Sequence, residues 1–225
     1  MPSGVENIRV FPRSKTPRAF VDPATPSAEA FRTLRLAMQI RAERGTTDAV
    51  LFTSAEPGVG KSTVASNYAL IASMGHRVLL IDADLRRPAL HKFFAVEQTP
   101  GLVDLLAGAS FEDSIRRVGP GNLDLLTAGS PISHVSDIAA SDRMGELLRE
   151  ASDTYAAVVV DAPPVLASAG AEGLASHFGV RVVLVVRPST KRRMIAKALR
   201  RLALINADVA GVVVNRLPRV SQYGY

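Results

Sequence analysis

The chain of 225 residues contains no cysteine, which at once excludes a disulfide framework, a thiolate zinc site and a cysteine nucleophile. It also lacks a membrane-length hydrophobic run, since no apolar stretch approaches the roughly 18–20 residues that cross a bilayer. The first residues, MPSGVENIRVFPRSK, hold no apolar core of signal-peptide length. A soluble, cytosolic protein is the expectation from these absences. Aromatic residues make up only 5% of the chain. No basic-plus-aromatic pattern of the kind that stacks bases is visible, so nucleic acid is not an expected partner.

What is present is globular in kind. Hydrophobic residues make up 47% and charged residues 21%, a composition and length that suit one α/β domain with a sizeable core. The net charge of +6 is unevenly placed, with nine Arg and Lys from Arg187 onward set against Asp208 as the one acid. An anionic membrane surface or an acidic partner could use that charge, and so could a merely solvated helix face.

Residues 1–25 carry four prolines without a clear period and read as an extended N-terminal arm. Thr25-Pro26 then opens a helix striped with Phe31, Leu34 and Met38, with Gly45 suited to its stop. Strand and helix signals alternate from there. Strands are expected at 49–54, 77–82, 123–127, 156–161, 180–186 and 209–215. Helices are expected at 61–74, 142–152 and 190–206, with short helical stretches around 88–94 and 102–118. AAVVVD and VRVVLVV are continuous apolar runs, as in strands buried on both faces of a parallel sheet. The expected fold is α/β: a doubly wound, mostly parallel sheet of the P-loop NTPase type with helices on both faces.

Between the first of those strands and its helix stands SAEPGVGKST. Phosphate binding needs converging backbone N–H groups, a helix N-terminus and a lysine. Pro57, Gly58, Val59, Gly60, Lys61, Ser62 and Thr63 supply that pattern, with Gly58 and Gly60 permitting close approach and the Ser62 hydroxyl within reach of Mg²⁺. A dinucleotide fingerprint fits less well, because Thr63 stands where its third glycine would be. Two more strands end in acids at the ligand edge of such a sheet: Asp82 and Asp84 in VLLIDADLRRP, and Asp161 in VVVDAPPV. Carboxylates there can hold Mg²⁺ or its water.

TSAEPGVGKST, VLLIDADLRRP and VVVDAPP together resemble the Walker A, Walker A′ and Walker B motifs of the bacterial tyrosine kinases, the autokinases of capsule and exopolysaccharide loci. EAFRTLR, GLVDLLAG and GVVVN extend the resemblance over about residues 27–217. MinD/ParA-type ATPases share the broad class but carry a signature lysine in the loop, where this chain has Glu56. The Pro-Gly-x-Gly-Lys form and Arg86 are similar to the kinases. Relatives usually carry a richer tyrosine cluster, P-P-N-P where this chain reads Ile132-Ser133-His134-Val135, and an Asp where it has Gly170.

The resemblance implies Mg·ATP bound across residues 57–63, with Lys61 on the β/γ oxygens. Ser62, Asp82 and Asp161 would hold the metal or its water shell, Asp84 or Asp82 would act as base, and Arg86 and Asn215 would contact the nucleotide, Asn215 at the adenine. It also implies that Glu29, Arg32 and Arg35 form a subunit contact of a ring-like homo-oligomer. The acceptors are Tyr223 and Tyr225, in a flexible tail over 218–225 that follows a kinase domain at 26–217. The partner would be the cytoplasmic segment of a transmembrane polysaccharide co-polymerase or adaptor, placing the chain at the inner face of the cell membrane. A nucleotide-switched ATPase and a nucleotide-binding regulatory module are the alternatives.

Overall fold

Continuous apolar runs build the centre of the sheet. The computed structural model describes residues 8–12, 26–41, 48–119, 121–132, 138–177 and 179–217. Its strands are β1 (Ile8–Pro12), β2 (Asp48–Ser54), β3 (Val78–Asp82), β4 (Ile115–Val118), β5 (Leu123–Leu126), β6 (Ala157–Asp161), β7 (Val180–Val186) and β8 (Asp208–Leu217). They form one sheet in the order β1-β8-β7-β2-β6-β3-β5-β4. Every pairing is parallel except β4 with β5, at one edge.

The helices are α1 (Pro26–Arg41), α2 (Lys61–Ser73), α3 (Leu90–Phe94), α4 (Leu102–Leu106), α5 (Phe111–Ser114), α6 (Asp142–Thr154), α7 (Gly170–Ala175) and α8 (Arg192–Leu204). Successive strand side chains point to opposite faces, so each central strand feeds two cores. Leu51, Leu79, Ile81, Val158, Val160, Val182 and Leu184 cluster with residues of α6, α7 and α8. Val50, Phe52, Leu80, Val159, Val183 and Val185 cluster with residues of α1 and α2. Helices therefore cover both faces of a mostly parallel sheet, as expected. Phe31, Leu34 and Met38 of α1 lie in the second core, and Phe52 meets Tyr68 of α2 with ring centroids 5.3 Å apart.

Three elements depart from the sequence reading. Residues 8–12 form a parallel edge strand on β8. The stretch 102–118, expected to be helical, breaks into α4, α5 and the antiparallel strand β4. Helix α7 was not expected, and its sequence GAEGLA carries two glycines that weaken any helical signal. Within β7, Arg181 is buried despite its charge, and its Nη1 donates to the Met38 carbonyl at the end of α1. Thr25, Gly45, residues 133–135, Tyr223 and Tyr225 lie outside the described residues.

The topology places a ligand edge. From β2 the chain passes through α2 to β3, two positions away on one side, whereas β7 and β8 lie on the other. Ligands of open α/β sheets bind at the carboxyl ends of strands where the winding reverses in this way. Register brings Asp161 opposite both Phe52 and Asp82, so the ends of β2, β6 and β3 form one ledge.

Candidate active site

The loop between Ser54 and Lys61 runs directly into the N-terminus of α2, whose free N–H groups and dipole favour an anion. Gly58 (φ 75°) and Gly60 (φ 90°) both take left-handed backbone, which a side chain resists. At Gly60 there is a second reason. A Cβ there would stand 2.3 Å from Nδ2 of Asn215. That amide, at the end of β8, donates to the carbonyls of Val59 (2.9 Å) and Gly60 (3.4 Å). Its Oδ1 accepts the Arg216 N–H at 2.8 Å. Asn215, which the resemblance puts at the adenine, also braces the loop through this amide.

Lys61 is enclosed by acids. Its Nζ lies 2.9 Å from Asp84 Oδ2 and 3.1 Å from Asp161 Oδ1. Burial pushes the ammonium toward neutrality, but the charges of Asp161 and Asp84 outweigh it and hold the group above the ordinary lysine range. Burial raises Asp161 against the opposing charge of Lys61 and the hydrogen bond from Ser62. The second oxygen of Asp161, Oδ2, is buried with no hydrogen-bond partner among the described residues.

Asp82 is wholly buried, and burial together with the Asp161 charge lifts it to about 7, although the amides of Leu90 and Ala89 oppose the rise. Its Oδ2 accepts those two N–H groups at 2.9 Å each, and its Oδ1 accepts the Asp84 N–H at 3.3 Å. Asp82 therefore fixes the turn after β3 and the start of α3. Asp84 is the more available carboxylate, with Oδ2 on Lys61 and Oδ1 accepting the Arg87 N–H at 3.2 Å.

Glu56, where the switch ATPases carry lysine, is tied within the chain. Its Oε1 accepts the Thr190 hydroxyl at 3.0 Å and lies 3.5 Å from Arg187 Nε, both in the segment between β7 and α8. Sequence reasoning missed this tie, which joins residues 134 positions apart. It also missed Arg216, which holds left-handed backbone at φ 60° beside the loop.

The remaining expected residues are spread around this centre. Val59 is buried beneath the loop, Ser62 and Thr63 are half-buried in the first turn of α2, and Pro57 and Arg86 are exposed. On α1, Arg32 Nη1 meets Glu29 Oε2 at 3.0 Å across one turn, with both side chains exposed, while Arg35 is half-buried. The loop cradle and the orphaned Asp161 oxygen suit a triphosphate with Mg²⁺, which takes oxygen ligands. Among the described residues no three acidic or histidine side chains form a metal cage. Phosphate oxygens and water would then complete the shell around Ser62 and Asp161.

Comparison with known proteins agrees with this geometry. The CobQ/CobB/MinD/ParA nucleotide-binding domain family (CbiA) matches residues 50–222. EpsB of Ralstonia solanacearum, which bears the name of a tyrosine-protein kinase, is 42% identical over 207 residues, or 90% of this chain and 28% of that protein. Tyrosine-protein kinase YwqD of Bacillus subtilis is 36% identical over 211 residues, covering 92% of this chain and 89% of that one. The chain thus spans little more than a quarter of the Ralstonia protein and nearly all of the Bacillus one. The solved kinase domain of Escherichia coli tyrosine kinase ETK superposes with a TM-score of 0.88 at 29% identity, covering 98% of this chain and 94% of that chain.

Proposed function

The chain belongs to the bacterial tyrosine-protein kinases of the MinD/ParA-like nucleotide-binding class, and from that premise we propose that it is an Mg·ATP-dependent tyrosine autokinase acting on Tyr223 and Tyr225. The observation that carries this reading is the enclosure of Lys61 between Asp84 and Asp161 at the mouth of a phosphate loop. It supports the reading because it gathers one cation and two carboxylates at the end of the loop where a terminal phosphate would lie.

In the proposed reaction the loop N–H groups and Lys61 bind the β and γ oxygens, so Lys61 exchanges carboxylate partners for phosphate. Ser62 and Asp161 would hold Mg²⁺ when it is bound, and the ion would supply positive charge against the charge that develops on the phosphates. A tyrosine oxygen bonds to the γ-phosphorus as the bond from that phosphorus to the bridging oxygen breaks, and ADP leaves. The phenolic proton passes to Asp84. A loose transition state makes positioning matter more than proton removal, which suits a base fixed by the Arg87 amide. Asp82, with both oxygens on backbone amides, serves by shaping the turn.

The tie from Glu56 to Thr190 and Arg187 supports transfer to protein over a nucleotide switch, because no lysine at that position is free to reach a neighbour's phosphate. We further propose a ring-like homo-oligomer through Glu29, Arg32 and Arg35, and activation by the cytoplasmic segment of a transmembrane adaptor of polysaccharide synthesis and export. Among the described residues no helix is long and apolar enough to cross a membrane. The test is intact-mass spectrometry after incubation with Mg·ATP, with and without the last five residues. Phosphate on Tyr223 or Tyr225 is expected. Steady release of phosphate to water with neither tyrosine modified would make the protein an ATPase switch.

A further inference from the structure

The sheet orients the nucleotide. Lys61 Nζ, Asp84 and Asp161 gather on the β6–β3 side of the phosphate loop, whereas Arg187 follows β7 and Asn215 and Arg216 lie near the end of β8 on the other. A triphosphate whose terminal phosphate meets the acids therefore points its nucleoside toward the end of β8. Arg216 stands at that end.

Three features aim Arg216 at this space. Its φ of 60° is left-handed, a conformation non-glycine residues seldom hold. Asn215 stabilises it: the Asn215 side chain accepts the Arg216 N–H while donating to Val59 and Gly60, making strand end and phosphate loop one unit. This left-handed kink within β8 brings the side chain beside the loop, with Nε 3.7 Å from where a Cβ of Gly60 would stand. The residue is exposed, and no described carboxylate forms an ion pair with it.

We propose that Arg216 is the base clamp of the nucleotide site, its guanidinium plane lying on the face of the purine. Guanidinium is planar, permanently charged and weakly hydrated, so it stacks on aromatic faces where the compact ammonium of lysine does not. The role rests on the nucleotide site proposed above but assigns a different end of the ligand. The phosphates belong to the loop and Lys61, the base to Arg216.

The experiment titrates the full chain, in the presence of magnesium, with ATP and separately with inorganic tripolyphosphate. Arg216→Gly accepts the left-handed backbone and keeps the Asn215 strut while removing the side chain. It is expected to weaken ATP binding about five- to tenfold, to leave tripolyphosphate binding unchanged and not to lower the thermal midpoint. Arg216→Lys should lose most of the same ATP affinity. Equal losses for the two ligands would make Arg216 a phosphate contact and overturn the clamp, as would undiminished ATP affinity in the glycine variant or full rescue by lysine. A wild type that binds neither ligand would instead bring down the nucleotide-site reading, and the clamp with it.

Discussion

Gly60 and Asn215 leave no room between them for a methyl group, since a Cβ on Gly60 would stand 2.3 Å from the Asn215 amide nitrogen. The same amide donates to the Gly60 and Val59 carbonyls, so the contact that excludes a side chain also supports the loop. Gly60→Ala should weaken ATP binding strongly but measurably in the wild-type background. In an Asn215→Ala background the clash disappears and only the unfavourable left-handed φ remains. The second substitution should then cost less than the first did, and the difference is a coupling energy of about 0.5–3 kcal/mol. Additive losses in ATP affinity across the four proteins would count against the strut.

Asp82 gives the site a pH signature. Its folded value of about 7 stands above the ordinary 3.8, so between these values the native state holds the proton more tightly than the unfolded chain does. Stability contributed by Asp82 therefore falls as pH rises from about 4 to 7 and is level above that. Asp82→Asn keeps a carbonyl for the Ala89 and Leu90 amides and cannot ionise. Relative to wild type, without nucleotide or magnesium, the variant should gain on the order of 2–4 kcal/mol in denaturant stability on going from pH 5 to pH 8. A constant loss from the altered hydrogen bonds cancels in that comparison. Parallel pH profiles for the two proteins would sink the assignment.

The sequence revealed the centre of this site more fully than its flanks. Asp84 and Asp161 could be read because each closes a continuous apolar run, and such runs end at one edge of a parallel sheet; Lys61 could be read because it closes a Gly-x-Gly-Lys loop between a strand and a helix. What they do to one another was less readable. Asp82 and Asp84 stand two residues apart in one motif, yet Asp82 holds the Ala89 and Leu90 amides and Asp84 meets Lys61. The flanking contacts arise from long-range pairings that carry no local period. Glu56 with Thr190, and Asn215 with Val59, come together only because β7 and β8 lie beside β2 in that order. The same holds for β4, a charged four-residue strand whose one neighbour among the described strands is β5.

The contact on α1 gives a prediction that separates fold from assembly. Glu29 and Arg32 are exposed and paired at 3.0 Å, and such surface pairs contribute about 0.2–1 kcal/mol within one chain. The apolar stripe of α1, not this pair, holds the helix to the sheet. Replacing Glu29, Arg32 and Arg35 together by Ala should therefore move the thermal midpoint by only a few degrees. Light scattering should nevertheless show wild-type oligomers falling to smaller species, because a ring repeats the contact at every interface. A wild type that is monomeric at tens of micromolar would rule out the ring.

Whether a tail is phosphorylated by its own subunit or by a neighbour follows from where the strands lie. The eight residues after Leu217 could stretch about 26–29 Å. The step from β8 across β7 and β2 to β6 is about 14 Å at the usual strand spacing, so length permits either route. With the base at the β8 end, as proposed, the nucleotide itself would be the obstacle. A tail bound for its own acids must pass over its own ligand, and Pro218 fixes φ at the first step of that path. A neighbour's tail can enter from the acid side. Mixing Lys61→Met chains, which retain both tyrosines but bind no ATP, with active chains carrying Tyr223→Phe and Tyr225→Phe tests this directly. Phosphotyrosine should appear on the Lys61→Met chain. Each phosphate adds about −1.5 to −2 charge near Asp84 and Asp161, so oligomer size should fall as it accumulates. If wild-type tails are phosphorylated but the mixed sample gives none, transfer occurs within the subunit and the trans arrangement is wrong.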